Sequence, residues 1–421
     1  MTPLQVALIS EHASPLAILG GEDAGGQNVH VAALATALGR LGCEVTVYTR
    51  RDDRDLPARV QFAPEVTVEH LRAGPPTGVP KDQLFSSMPA FAAQLRRRWL
   101  TAPPDVAHAH FWMSGWAAVA ASGGTKVSPS SPRVPLVQTF HALGVVKRRH
   151  QGDADTSPPE RQSVESGLLS QVDRVVATCT DEAAELRALG AEPERIDVVP
   201  CGIDPELFNL DGPLAPPVHG PSRHRPFRLV VVSRLVRRKG IEDVVRALAL
   251  LPDAELLVAG GPADARQLDR DPEVQRLRCE ARGIGVGDRV RFLGALPRKQ
   301  IPALLRSADV VVTVPWYEPF GIVPLEAMAC GVPVVGTAVG GLLDTVQHGR
   351  TGLLVQPRDP GGLAAAIDRL LANPSLRHRM GEEGAAVVRE HFTWEQVASS
   401  TLEIYLALVR QRSDTQWWAV A

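Results

Sequence analysis

The chain has 421 residues, more than one ordinary core holds, so two domains of roughly 200 residues each are expected. With 44% hydrophobic and 22% charged residues and a net charge of -2, its make-up is that of a soluble globular protein and excludes a general nucleic-acid footprint. Five scattered cysteines without metal-ligand spacing, no basic leader ahead of the first apolar run and no run of membrane-span length predict a reduced, cytoplasmic protein with at most peripheral membrane contact.

Short apolar runs alternate with amphipathic or Ala-rich stretches throughout, the pattern of parallel sheets covered by helices. The first series of predicted strands is Gln5–Ser10, Glu44–Thr49, Val66–Leu71, Asp105–Ala109, Val134–Thr139, Arg174–Thr178 and Asp197–Val199. After the first strand and a loop from Glu11, Gly25-Gly-Gln-Asn-Val-His opens a helix, and its glycines let backbone approach a phosphate or sugar. It is not a Gly-x-Gly-x-x-Gly fingerprint, and the second strand closes with Tyr48-Thr-Arg-Arg51 and no acid, so a nicotinamide cofactor is not expected.

His108 and His110 share one face of a strand, but no Cys or carboxylate is spaced to complete a tetrahedral set. No metal is expected, and His110 and Trp112 are read as lining a cleft. His141 ends the run Val134–Phe140. The segments 122–133 and 151–159 are polar and Pro-rich and are predicted to be mobile loops. Arg96-Arg-Arg98 and Lys147-Arg-Arg-His150 read as solvated helix faces, with attraction to anionic lipid heads as the alternative.

A Pro-rich stretch between Pro200 and Pro226 separates a second series of strands: Arg228–Ser233, Glu255–Ala259, Arg289–Leu293, Val310–Val314, Pro333–Gly336 and Gly352–Val355. The expected division is 1–208, a linker 209–226, 227–393 and a C-terminal helix 394–421, with the chain helical from Pro374 to about Arg412. Each half reads as a doubly wound sheet, and two such halves facing each other predict a cleft with donor on one side and acceptor on the other.

The stretch Trp316 to Gly336 carries the most chemistry. A buried strand, Val310–Val314, leads into a loop and then Pro324, which suits a first helical position and leaves the N–H groups of Gly321 to Val323 free for a diphosphate. Glu326, placed in the first turn, would accept ribose hydroxyls, and Glu318 hydroxyls of a bound sugar. At the end of strand 228–233 stand Arg234 and Lys239, cations suited to stabilising charge on a departing phosphate.

The Glu318-x7-Glu326 segment, Arg234-x4-Lys239 and Gly25-Gly-x-Asn-Val29 resemble the retaining glycosyltransferase family 4, nearest its inositol-phosphate and sucrose-phosphate types. The resemblance implies the GT-B fold, with two facing Rossmann-like domains, and sugar transfer from a nucleotide-diphosphate sugar to a hydroxyl of a small sugar, sugar-phosphate or lipid-linked acceptor. A UDP-sugar is favoured over GDP-mannose, no metal or other cofactor is required, and a monomer or homodimer is expected. On the donor side it implies Gly26 at the diphosphate, backbone near Leu293 at the base, and Phe320, Gly321, Ile322 and Val323 around the phosphates. It puts His141 beside the reacting centre, and Asn28, Lys81 and Arg161 toward the acceptor. The family's aromatic hydroxyl and the hydroxyl beside its His are replaced here by Phe111 and Ala142, which removes two donors from an acceptor phosphate. The rival readings are a sugar-nucleotide epimerase, which converts donor alone, and a silent carbohydrate-binding scaffold, which releases no nucleotide.

Overall fold

The computed structural model describes residues 2–17, 25–123, 133–216 and 227–420, with side chains as far as Arg412. The chain divides into two compact units, residues 1–200 with 394–421, and residues 201–393.

The first unit contains β1 (Gln5–Ile9), α1 (Gly26–Arg40), β2 (Glu44–Arg50), β3 (Arg59–Ala63), β4 (Val66–Leu71), α2 (Met88–Thr101), β5 (Val106–His110) and α3 (Trp112–Ala121). It continues through β6 (Leu136–Thr139), α4 (Gly144–Gln151), α5 (Arg161–Leu169), β7 (Arg174–Ala177), α6 (Thr180–Ala188) and β8 (Ile196–Val198). The second holds β9 (Phe227–Val232), α7 (Ile241–Leu248), β10 (Ala254–Ala259), α8 (Ala265–Arg270), α9 (Pro272–Gly283), β11 (Val290–Gly294), α10 (Ile301–Arg306) and β12 (Val310–Thr313). After these come α11 (Ile322–Ala329), β13 (Val334–Thr337), α12 (Leu342–Thr345), β14 (Gly352–Val355), α13 (Pro360–Leu371) and α14 (Pro374–His391). The last helix, α15 (Trp394–Val420), belongs to the first unit.

The first sheet has the order β3-β4-β2-β1-β5-β6-β7-β8, parallel except for β3, and the second the order β11-β10-β9-β12-β13-β14, parallel throughout. Valine-rich runs such as Val310–Val312 are buried on both faces, as parallel strands under helices require. Both sheets are doubly wound about their first strand: β1 lies between β2 and β5, and β9 between β10 and β12. Ligands in such sheets bind beyond the carboxyl ends at that reversal.

Three details differ from the reading of the sequence. β3 was not foreseen, because as an antiparallel edge strand it buries no residue fully and so lacks the apolar signature of its neighbours. The helical stretch expected from Pro374 to about Arg412 is interrupted at Phe392–Thr393, where Ile203 N–H donates to the Phe392 carbonyl at 2.8 Å, although the last helix starts at Trp394 as expected. The segment 151–159 packs: Asp155 is held by Lys147 at 2.9 Å, and Ser157 N–H donates to Asp155 at 3.0 Å. Of the other predicted loop, residues 124–132 lie outside the described residues. So do residues 217–226 of the predicted linker; before them, Ile203 and Phe208 are buried in the core of the second unit. Among the described residues no helix is long and apolar enough to cross a membrane.

Candidate active site

In the second unit the reversal lies between β9 and β12. A turn at Arg237–Lys239 follows β9 and ends at Gly240, whose φ of +68° starts α7. A Cβ at Gly240 would overlap the Val314 carbonyl, so glycine lets this turn press against the end of β12. Trp316 N–H donates to the Arg238 carbonyl at 2.8 Å, which joins the two loops. On its other side, Gly341 N–H donates to the Glu318 carbonyl at 2.7 Å. Between these clamps Lys239 Nζ meets Glu318 Oε2 in an ion pair.

The balance of charge here is positive. Burial pushes the Glu318 carboxyl up, but Lys239 and Arg238 outweigh it and hold the carboxyl below the ordinary range. The Lys239 ammonium is lowered by burial, with Arg238 and exposed Arg234 adding to the effect against the pull of Glu318. Arg238 is lowered by burial and by Arg234 in the same way. Three cations thus crowd one carboxylate at a partly sheltered strand end, an arrangement that a bound polyanion relieves.

Beside it, Gly321 adopts φ +72° and α11 begins at Ile322. Pro324 is therefore the third helical residue, not the first, and Glu326 sits in the second turn. Glycine at the cap lets the helix start two residues earlier than the proline signal indicated, and the N–H groups of Ile322 and Val323 have no acceptor within the helix. Glu326 is 3% exposed, and Arg298 Nη1 lies 2.9 Å from its Oε1. Burial pushes this carboxyl up and Arg298 opposes the shift. The guanidinium of Arg298 is itself stacked 4.9 Å from the ring centre of Phe208. Leu293, at the end of β11, and Phe320 are half-buried. Arg238 and Arg298 were missed in the sequence: the first lies inside a basic run, the second 28 residues ahead of its partner on another element, a difference of positions 326 and 298.

In the first unit the corresponding ends are those of β1, β5 and β6, and there the site is made of imidazoles. His108 stacks on His110 with ring centres 4.3 Å apart, and His110 Nδ1 lies 2.9 Å from His141 Nε2. His108 is anchored by the Tyr405 hydroxyl of α15 at 2.6 Å and by Thr139 Oγ1 at 2.9 Å. His30 of α1 stands edge-on to His141 at 5.0 Å and to Trp394 at 5.3 Å. Burial lowers all four: His30 to about 4, His108 to about 3, His110 and His141 well below the ordinary value. Phe111 and His141 hold positive φ, +82° and +63°, conformations that cost a non-glycine residue about 1–3 kcal/mol and concentrate at functional sites. His30 and Tyr405 were not singled out in the sequence, since nothing in linear spacing links α1 or α15 to the end of β5.

The acceptor candidates are placed less simply. Asn28 is buried in the first turn of α1, where its Oδ1 accepts Gly25 N–H at 2.9 Å and its Nδ2 donates to the Ser14 carbonyl at 3.0 Å, so it fixes the loop ahead of Gly26. His110 and Trp112, expected to line a cleft, are both buried, Trp112 against Phe85 at 4.7 Å. Arg161 is buried, with Nε on Glu165 at 2.7 Å, Nη2 on the Ala142 carbonyl and its plane over Phe111 at 5.0 Å. Lys81 begins a short helical turn and is half-buried. The two basic runs are also partly spent, Arg98 on Glu69 at 3.0 Å and Arg149 on Glu185. Among the described residues no group of three or more His, Cys, Asp or Glu is disposed to hold a metal ion.

Residues 24–207 match the family model described as Glycosyltransferase Family 4, and residues 219–387 match that of glycosyl transferases group 1. The chain is 36% identical to the D-inositol 3-phosphate glycosyltransferase of Acidothermus cellulolyticus, an alignment covering 98% of this chain and 92% of that protein. It superposes on sucrose-phosphate synthase from Thermosynechococcus elongatus with a TM-score of 0.85 and 33% identity, over 97% of this chain and 100% of that one. Anabaena HepE, solved in complex with UDP-glucose, shares the fold with a TM-score of 0.67 at 21% identity, over 94% of this chain and 99% of its own. The protein belongs to the family 4 glycosyltransferases and has their GT-B fold of two Rossmann-like units. It is an enzyme of sugar transfer.

Proposed function

We propose that this protein transfers a sugar, with retention of anomeric configuration, from a nucleotide-diphosphate sugar to a hydroxyl of a small sugar, sugar-phosphate or lipid-linked acceptor, a UDP-sugar being the favoured donor. The observation that carries this reading is the crowding of Arg234, Arg238 and Lys239 around Glu318 beside the start of α11. Breaking the bond between the anomeric carbon and the phosphate oxygen leaves the electron pair on the diphosphate, and preorganised cations stabilise that developing charge more than they stabilise the bound donor. The acceptor hydroxyl bonds to the anomeric carbon on the face the phosphate leaves, and its proton passes to the departing phosphate oxygen. Glu318, kept ionised by its cations, accepts sugar hydroxyls; Glu326, oriented by Arg298, accepts those of the ribose.

Arg234, Arg238 and Lys239 supply the countercharge, so the proposed reaction runs without a metal and persists in EDTA. The acceptor of the Acidothermus relative, an inositol phosphate by its name, is one candidate, although Phe111 and Ala142 offer no hydroxyl to a phosphate.

The test is a panel of UDP-, GDP- and ADP-sugars incubated with inositol phosphate, other sugar phosphates, free sugars and lipid acceptors, read by nucleotide release and product mass. Release that depends on acceptor is expected. Conversion of donor with no acceptor present replaces the reading with an epimerase, and no release from any pair leaves a binding scaffold.

A further inference from the structure

Arg358 takes no part in the Lys239–Glu318 pair, yet its backbone is held in a conformation that its residue type resists. Between the end of β14 at Val355 and the start of α13 at Pro360 the chain turns through residues 356–359, and Asp359 closes that turn by accepting Gly362 N–H at 2.9 Å. The turn puts Arg358 at φ +60°. Glycine takes that conformation freely, whereas an arginine there carries a steric penalty. What the arginine adds is its side chain: the guanidinium carbon lies over the Trp316 ring, 4.1 Å from its centre, on the face that attracts cations.

Trp316 belongs to the loop that carries Glu318. The main chain of that loop is tied down on every side: Thr337 Oγ1 donates to the Pro315 carbonyl at 2.7 Å, Trp316 N–H to the Arg238 carbonyl at 2.8 Å, and Gly341 N–H to the Glu318 carbonyl at 2.7 Å. The indole has no such tie, because its Nε1 is buried without a hydrogen-bond partner among the described residues. Stacking against Arg358 is thus what a polar group contributes to holding the ring. Burial and Glu242 raise the Asp243 carboxyl at the start of α7, and Arg246 and Arg358 oppose that rise, so the charge of Arg358 also reaches the α7 side of the site. We propose that Arg358 is a positioning residue: its guanidinium pins the Trp316 indole and so steadies the loop that presents Glu318 to Lys239. Resting on the reading of Glu318 as a contact of the donor sugar, this gives Arg358 an effect on turnover without any contact to substrate.

Hydrogen exchange of the Trp316 indole N–H, followed in proton–nitrogen correlation spectra and assigned by the resonance lost in Trp316→Phe, reads the pinning directly. Arg358→Gly, which keeps the turn and removes the stack, is expected to speed that exchange at least about tenfold and to lower kcat about tenfold, with UDP affinity changed by less than about twofold. Arg358→Lys, which keeps a cation over the ring, holds kcat within about threefold of the unaltered enzyme. The double variant of Arg358→Gly and Trp316→Leu is expected to turn over no more slowly than Trp316→Leu alone, since both changes break one contact. Losses that multiply in the double variant overturn action through Trp316. Unchanged exchange and kcat in Arg358→Gly overturn the proposal outright, as does a lowered urea midpoint with kcat unmoved, the mark of a merely structural stack. Should Trp316→Leu fail to fold, exchange and kcat in Arg358→Gly still decide. Failure of the transferase reading registers separately, as no nucleotide release from any donor and acceptor pair, and leaves the pinning to the exchange measurement.

Discussion

The two sheet reversals are built alike in backbone and differently in charge. The one in the second unit gathers Arg234, Arg238 and Lys239 about Glu318, whereas the one in the first gathers His30, His108, His110 and His141, all held neutral by burial. A doubly wound sheet fixes where its strand ends converge, and the side chains there decide whether that place suits a departing anion or an uncharged hydroxyl. The same framework thus carries two electrostatic environments within one chain.

The contrast is broken most severely by removing the central cation. Lys239→Met takes away the partner of Glu318 and the proposed stabiliser of the leaving group, and kcat is expected to fall on the order of 100- to 1,000-fold in a nucleotide-release assay, with donor affinity less affected. Turnover within twofold of the unaltered enzyme removes Lys239 from that role.

The neutral cluster is tested by acid. Because burial puts the folded-state pKa of His30 at about 4, below its unfolded value of 6.5, the unfolded chain takes up a proton first as pH falls. Stability is therefore lost between pH 6.5 and about 4, by about 1.4 kcal/mol per pH unit for each such imidazole. The buried carboxyls Glu165, Glu182 and Glu326, raised by burial, pull the other way. The contribution of His30 is thus read as a difference: urea-unfolding stability of His30→Leu should fall less steeply across this range, and equal slopes would contradict a neutral, buried His30.

Glu326→Ala sharpens the donor side. Loss of the proposed charge-assisted bonds to a ribose is expected to weaken UDP binding on the order of 10- to 100-fold by titration calorimetry, in keeping with about 1.5–3 kcal/mol for hydrogen bonds to charged groups. Unaltered affinity would confine Glu326 to its pairing with Arg298. The smallest effect is expected from Tyr405→Phe, which deletes the hydroxyl bonded to His108: about 1 kcal/mol of stability in urea unfolding, with kcat within about twofold.

The fold was largely legible because parallel strands buried on both faces advertise themselves as runs such as Val310–Val314, and β3 escaped because an edge strand has no such need. The charged site was legible in part: Lys239 and Glu318 stand out in their own segments, but the glycine that lets their loops meet gives no sign of Val314 behind it. Glu326 was singled out and its turn misplaced, since Pro324 advertised a helix start that Gly321 and Ile322 had already made. The imidazole cluster was least legible. Its members come from α1, β5, the loop after β6 and, through Tyr405 and Trp394, from α15, and only the order of strands in the sheet brings them together. The burial of His110 and Trp112, read from the sequence as lining a cleft, was hidden for the same reason, because sequence gives the face of a strand or helix and not what covers it.

The return of α15 to the first unit makes that unit discontinuous along the chain. Residues 201–393 form one unbroken stretch, whereas the first unit is assembled from residues 1–200 and 394–421. Trp394 and Tyr405 stand beside His30 and His108, so the imidazole cluster is complete only when those two separate stretches meet. A truncation ahead of Trp394 would therefore leave the second unit whole and uncover the first.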